Sequence, residues 1–121
     1  MAKTILIADD ESTIRKLNSM IVEREFPDYN IELFEDGKEL DERLNQNLEE
    51  VCLIVTDNQM PGMYGLEIIE KYARKLKNIP FVLYYGGDEE IGKDAVKNGA
   101  YDYVMKGNYD KLENILGKVL N

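Results

Sequence analysis

The stretch Val51-Cys52-Leu53-Ile54-Val55-Thr56-Asp57 decides the fold of this 121-residue chain. A short, wholly apolar run that includes the β-branched Val51, Ile54 and Val55 reads as a strand buried on both faces. Asp57 stands where that strand should end. The next residues, Asn58 to Gly65, hold Pro61, Gly62 and Gly65 and read as a loop. Such a strand would fix the Asp57 carboxylate at the rim of a sheet. Taken locally, an Asp here equally well starts a turn or caps a helix, so both readings stand until the neighbours are considered.

The same pattern recurs outward from this strand. Residues 4–8 form an apolar strand that ends in Asp9-Asp10-Glu11. A shorter, alternating strand covers 31–34. Residues 81–85, after Pro80, form a third apolar strand, closed by Gly86-Gly87. Residues 101–105 form the last, followed by Lys106-Gly107. Helical spacing fills the intervals. A helix over 12–26 carries Ile14, Leu17 and Ile21 and stops at Pro27. One following Gly37 carries Leu40, Leu44 and Leu48, and one over 66–76 carries Leu66, Ile69, Ala73 and Leu76. The next, capped by Asp88 and running to Asn98, contains Gly92, which costs about 1 kcal/mol relative to Ala. The closing helix spans 110–120 and turns Leu112, Ile115, Leu116 and Val119 inward, which leaves no output domain within these residues.

Five β-then-α units with short connections predict an α/β fold: a single doubly wound, five-stranded parallel sheet, in one domain over 1–121. The near-continuously apolar strands should be central and the alternating ones should be edges. Strand order 2-1-3-4-5 satisfies this, and the fold is then flavodoxin-like. Ligands of such sheets bind beyond the carboxyl ends of the strands, at the switch point between strands 1 and 3. Asp9, Asp10 and Asp57 all fall there.

The formal net charge is −9, from 24 acids and 15 bases. It argues against direct nucleic-acid binding, which needs a basic face. The chain has no histidine, which excludes Ser-His-Asp and Cys-His catalysis and histidine-ligated metals. Cys52 is the only cysteine and is expected to be buried in its strand, so no disulfide framework exists and a reducing cytoplasm is the expected compartment. No apolar stretch approaches the ~18 residues of a membrane span, and the start shows no signal-peptide pattern.

Three carboxylates at one sheet edge repel each other and raise one another's pKa. A bound cation removes that conflict, and an oxygen-only set with room for water and a phosphate oxygen suits Mg²⁺. An Asp beside Mg²⁺ is a competent nucleophile towards a phosphoryl group. The transferred group needs a positioned cation and hydrogen-bond donors. Lys106 can supply the first, and backbone N–H groups around Asn58 and Gly86 the second. Singly, Asp9-Asp10 reads as a solvated helix cap and Lys106 as a surface lysine. Jointly, at the ends of strands 1, 3 and 5, they read as a site.

These pieces, with Ile79-Pro80-Phe81-Val82-Leu83 and Gly99-Ala100-Tyr101-Asp102-Tyr103, give the chain a full-length resemblance: it resembles the receiver domains of two-component response regulators. The resemblance implies that Asp57 is the phosphoacceptor and that Asp10, Asp57 and the Gln59 carbonyl ligate Mg²⁺, supported by Asp9. It implies that Lys106 pairs with the phosphoryl group. The donor would be a phosphohistidine on a sensor histidine kinase or phosphotransfer protein, and the phosphorylated face would bind a downstream protein. The chain would be a regulatory module rather than an enzyme, with at most self-phosphorylation and autodephosphorylation, the latter influenced by Gln59.

Three positions depart from the family pattern. Strand 4 usually ends in Thr or Ser. Here, counting from Pro80, that switch position is Tyr85, followed by the small Gly86; counting back from Gly99 it is Tyr84. Gly107 replaces the usual proline after Lys106, and Tyr64 replaces the usual Asp before Gly65. Phosphoacceptance should survive these changes. Signal transmission beyond strand 4, where Tyr84, Tyr85, Tyr101 and Tyr103 crowd together, should differ, either as a retuned switch or as plain packing. A degenerate receiver, binding partners independently of phosphorylation, is the alternative. An Asp-phosphate hydrolase would show Asp at Gln59, and a flavin protein would lack the acids after strand 1.

Overall fold

The computed structural model describes residues 3–120. The central strand runs over Val51–Thr56 and is named β3 in chain order. The other strands are β1 (Thr4–Ala8), β2 (Asn30–Phe34), β4 (Phe81–Tyr85) and β5 (Asp102–Met105). All are parallel, in the order β2-β1-β3-β4-β5. The sheet is flavodoxin-like, as the alternation of elements requires. Every residue of β1 is buried, whereas β2 has no fully buried residue and β5 only Val104. The apolar runs are therefore central and the alternating ones edges.

The helices are α1 (Ser12–Glu25), α2 (Gly37–Leu44), α3 (Gly65–Tyr72), α4 (Glu89–Lys97) and α5 (Tyr109–Val119). They cover both faces. Ile5, Ile7, Leu53, Val55, Val82, Tyr84 and Val104 pack with the apolar sides of α1 and α5. Leu6, Ala8, Ile54, Phe81 and Leu83 pack with α2, α3 and α4. Successive strand residues face opposite ways, so the adjacent Tyr84 and Tyr85 belong to opposite layers.

Three local details differ from the sequence reading. The third helix ends at Tyr72, not Leu76: Lys75 and Leu76 both donate to the Tyr72 carbonyl, at 3.0 and 2.9 Å, and Ile79 donates to Leu76. This is a chain of tight turns that lowers the backbone towards β4, and Leu76 still packs on the core, which is why the helical spacing persisted. Leu48 likewise packs inward from beyond the end of α2. Cys52 is half-buried rather than buried. The β1–β3 register pairs Thr4 with Val51 but Ile5 with Leu53. Cys52 is thus an extra residue in β3, a bulge, and Val51 and Ile54 share a layer although three residues apart.

Candidate functional site

Asp57 continues the β3 ladder by one bond, its N–H donating to the Ala8 carbonyl at 2.8 Å. Asp9 is tied across the opposite edge, its N–H donating to Phe34 O at 3.1 Å. The loop after Asp57 closes on the start of α3. Gly65 N–H donates to the Asn58 carbonyl at 2.8 Å, and Leu66 N–H to Asn58 Oδ1 at 2.9 Å. Lys106 follows β5 directly, and its N–H donates to Tyr85 O at 3.0 Å. The ends of β1, β3, β4 and β5 therefore set the site, and the loop between β3 and α3 adds Gln59.

At its centre lie two buried carboxylates, Asp9 and Asp57, at 1% and 3% exposure. Lys106 Nζ is 3.3 Å from Asp9 Oδ2, 3.3 Å from Asp57 Oδ2 and 3.0 Å from Glu11 Oε1. Burial pushes the Asp57 carboxyl up to about 7, the nearby Asp9 charge adds to this, and Lys106 opposes it. Burial also raises Asp9, against the Glu11 N–H and Lys106. Burial works against the Lys106 charge, but the Glu11, Asp57 and Asp9 carboxylates outweigh it and hold the ammonium firmly protonated. One cation thus faces three acids.

Asp10 is exposed beside them, and one carboxylate oxygen each of Asp9, Asp10 and Asp57 lie within 4.8 Å of one another. Asp10, Glu11, Asp57, Gln59, Tyr85, Gly86, Gly87 and Lys106 line a cleft of about 280 Å³. The Tyr85 ring lies directly over Gly87, where any side chain would collide with it. Gly86 faces the Lys106 stem. The Asn58 N–H, expected as a free donor, is spent on Asp57 Oδ1 at 2.8 Å. Tyr64 is exposed at the start of α3.

Two residues were not singled out from sequence. Glu11 binds Lys106, and its N–H donates to Asp9 Oδ1 at 2.9 Å. Arg15 Nη1 donates to the Asp9 carbonyl at 2.8 Å. Glu11 and Arg15 sit one helical turn apart at the start of α1, a spacing that signals a shared face.

The donor set fits a hard divalent cation. It is all oxygen, carries three formal negative charges, and includes Asp9 Oδ2, a buried oxygen with no hydrogen bond. Among the described residues, the one cation beside that atom is the Lys106 ammonium, at 3.3 Å.

Comparison with known proteins agrees with this arrangement. Residues 5–117 match the family model described as response regulator receiver domain. The chain is 33% identical over 122 residues to a chemotaxis protein CheY homolog of Campylobacter jejuni, covering 93% of this chain and 92% of that protein. It is 33% identical over 107 residues to the transcriptional regulatory protein SrrA of Staphylococcus aureus, covering 88% of this chain and 42% of that longer protein. Among solved structures it resembles the response regulator protein TrrA of Thermotoga maritima in complex with Mg(2+)-BeF. The TM-score there is 0.80 at 29% identity, over 97% of this chain and 98% of that one. With the fold, the acidic cleft and these likenesses in agreement, the chain belongs to the response regulator receiver domains of two-component signalling.

Proposed function

We propose that Asp57 accepts a phosphoryl group from a phosphohistidine of a sensor kinase or phosphotransfer protein, and that the phosphorylated domain binds a downstream protein. One observation carries this reading: Asp9, Asp10, Asp57 and Lys106, from three different strand ends, come together, with Asp10, Asp57 and Lys106 lining one cleft and Asp9 buried beside them. In the transfer the donor P–N bond breaks and a P–O bond forms to an Asp57 carboxylate oxygen. The imidazole leaves with the bonding pair. Asp9, Asp10, Asp57 and the Gln59 carbonyl would hold Mg²⁺, which neutralises charge on the phosphoryl oxygens when bound. Lys106 is close enough to Asp57 to pair with the incoming group, and it is already charged. The acyl phosphate carries about −1.5 to −2 of charge in place of the single charge of the carboxylate, and its oxygens compete with Glu11 for Lys106.

The protein then acts as a regulatory switch that releases no product beyond its own dephosphorylation. A lone reduced thiol and the absence, among the described residues, of any helix able to cross a membrane suit work in the cytoplasm. One feature supports a second reading, a phosphorylation-independent interaction module: the cleft wall carries Tyr85 where a short hydroxyl is usual, and its ring is committed to covering Gly87. Intact mass after incubation with acetyl phosphate and Mg²⁺ separates the two. The proposal expects one added phosphoryl group on wild type and none on Asp57→Asn. An unmodified wild type, with partner binding unchanged in Asp57→Ala, supports the second reading.

A further inference from the structure

The two tyrosines that end β4 have different fates. Tyr85 faces the cleft, while Tyr84 points into the layer of α1 and α5 and is 1% exposed. A buried phenol hydroxyl needs a partner. The backbone N–H of Gly107 donates to the Tyr84 hydroxyl oxygen at 3.0 Å, and the Tyr109 side chain is the hydroxyl's second neighbour. Burial and the neighbouring Tyr109 push this phenol up to about 12, against the pull of the Gly107 N–H, so it stays neutral at physiological pH.

Gly107 directly follows Lys106 and has φ +95°, a conformation that favours glycine. The preceding N–H, that of Lys106, donates to Tyr85 O at 3.0 Å. Consecutive N–H groups of the β5–α5 turn are thus held by consecutive residues of β4, one through main chain and one through a side chain. A proline at 107 would have no N–H to offer. The buried Tyr84 hydroxyl and the non-proline residue at 107 therefore form a matched pair. Between the two anchors sits the Lys106 Cα. A lysine is a point charge on a flexible four-carbon stem, so where its ammonium rests depends on where its backbone is fixed.

We propose that Tyr84 is a positioning residue for phosphoryl acceptance: its buried hydroxyl ties the β5–α5 turn to β4 and so fixes the Lys106 ammonium beside Asp57. The role rests on the reading of Asp57 as phosphoacceptor. It also makes β4 and Lys106 one mechanical unit, linked through a residue outside the cleft.

The test is Tyr84→Phe, which keeps the ring and removes the acceptor. Gly107 is exposed, so water can take its N–H and the fold is retained. The initial rate of phosphorylation by acetyl phosphate with saturating Mg²⁺ should fall about tenfold, as expected for a displaced catalytic cation. Mg²⁺ affinity, measured by titration calorimetry, should not weaken, because no carboxylate moves and the displaced ammonium no longer opposes the cation. In a Lys106→Ala background Tyr84→Phe should cost nothing further, since Tyr84 acts only through Lys106. NMR should show the Gly107 amide and the Lys106 ε-CH2 resonances shifting together. An unchanged rate, or an equal loss in the Lys106→Ala background, overturns the proposal. If wild type accepts no phosphoryl group, the reading of Asp57 fails instead. The tether is then judged by the Lys106 resonances, and their indifference to Tyr84→Phe overturns it.

Discussion

At the residue scale the site is a balance of one ammonium against three carboxylates. Asp57, whose ordinary value is 3.8, is pushed up to about 7 by burial and by Asp9. The folded protein therefore holds a proton between these values that the unfolded chain releases. Stability from this group is fully present at low pH and is lost as pH rises towards and through 7. In metal-free protein, Asp57→Asn should raise stability at pH 8 by on the order of 1–3 kcal/mol and change it little at pH 4. Thermal unfolding at both pH values checks this; a variant less stable than wild type at pH 8 would contradict it. Sequence reading could find Asp9, Asp10, Asp57 and Lys106 because strand ends are legible from apolar runs. It could not assign Asp9 to the interior and Asp10 to solvent, because that depends on which way the chain turns after Ala8. Glu11 escaped for the same reason: only the fold brings it to Lys106, at 3.0 Å.

At the scale of elements, α4 is the weakest helix by sequence, and the structure explains its glycine. A Cβ on Gly92 would lie 2.3 Å from Tyr103 Cδ2. The ring is held there by its hydroxyl, which donates to Glu89 Oε1 at 2.8 Å, and by Lys111 Nζ, 4.5 Å above the ring. The glycine is thus a notch that seats Tyr103 of β5 against α4. Gly→Ala inside a helix ordinarily gains about 1 kcal/mol. Here Gly92→Ala should instead destabilise by about 1–2 kcal/mol, because the ring must leave. In a Tyr103→Ala background the same change should become stabilising. Urea denaturation of the four proteins measures both signs; a stabilising Gly92→Ala in the wild-type background would refute the seat. Strand and helix order was readable because period and breakers report burial directly. The early end of α3 at Tyr72 was hidden because Leu76 remains packed after the helix stops. The Cys52 bulge was hidden because a run of apolar residues gives no phase.

For the whole molecule, the net charge is −9, and three of its carboxylates are gathered at the carboxyl ends of β1 and β3. Two responses to cations should therefore separate. Monovalent salt should raise the melting temperature gradually by screening. Mg²⁺ should add a saturable rise at equal ionic strength, following ligand-linked stabilisation. That saturable part should vanish in Asp10→Asn/Asp57→Asn, as a melting series in MgCl2 against NaCl would reveal; a saturable Mg²⁺ effect surviving in the double variant would locate the ion elsewhere. The parallel sheet makes this concentration possible, since every strand delivers its C-terminal residue to the same edge. On the proposed function one of those residues, Asp57, is a nucleophilic carboxylate, and an acyl phosphate on it can be reduced by borohydride to leave a homoserine residue. Borohydride trapping after treatment with acetyl phosphate and Mg²⁺, read by peptide mass spectrometry, should find homoserine at position 57 and at no other acid. Label at Asp9, at Asp10 or at no residue would contradict the assignment of Asp57 as the phosphoacceptor.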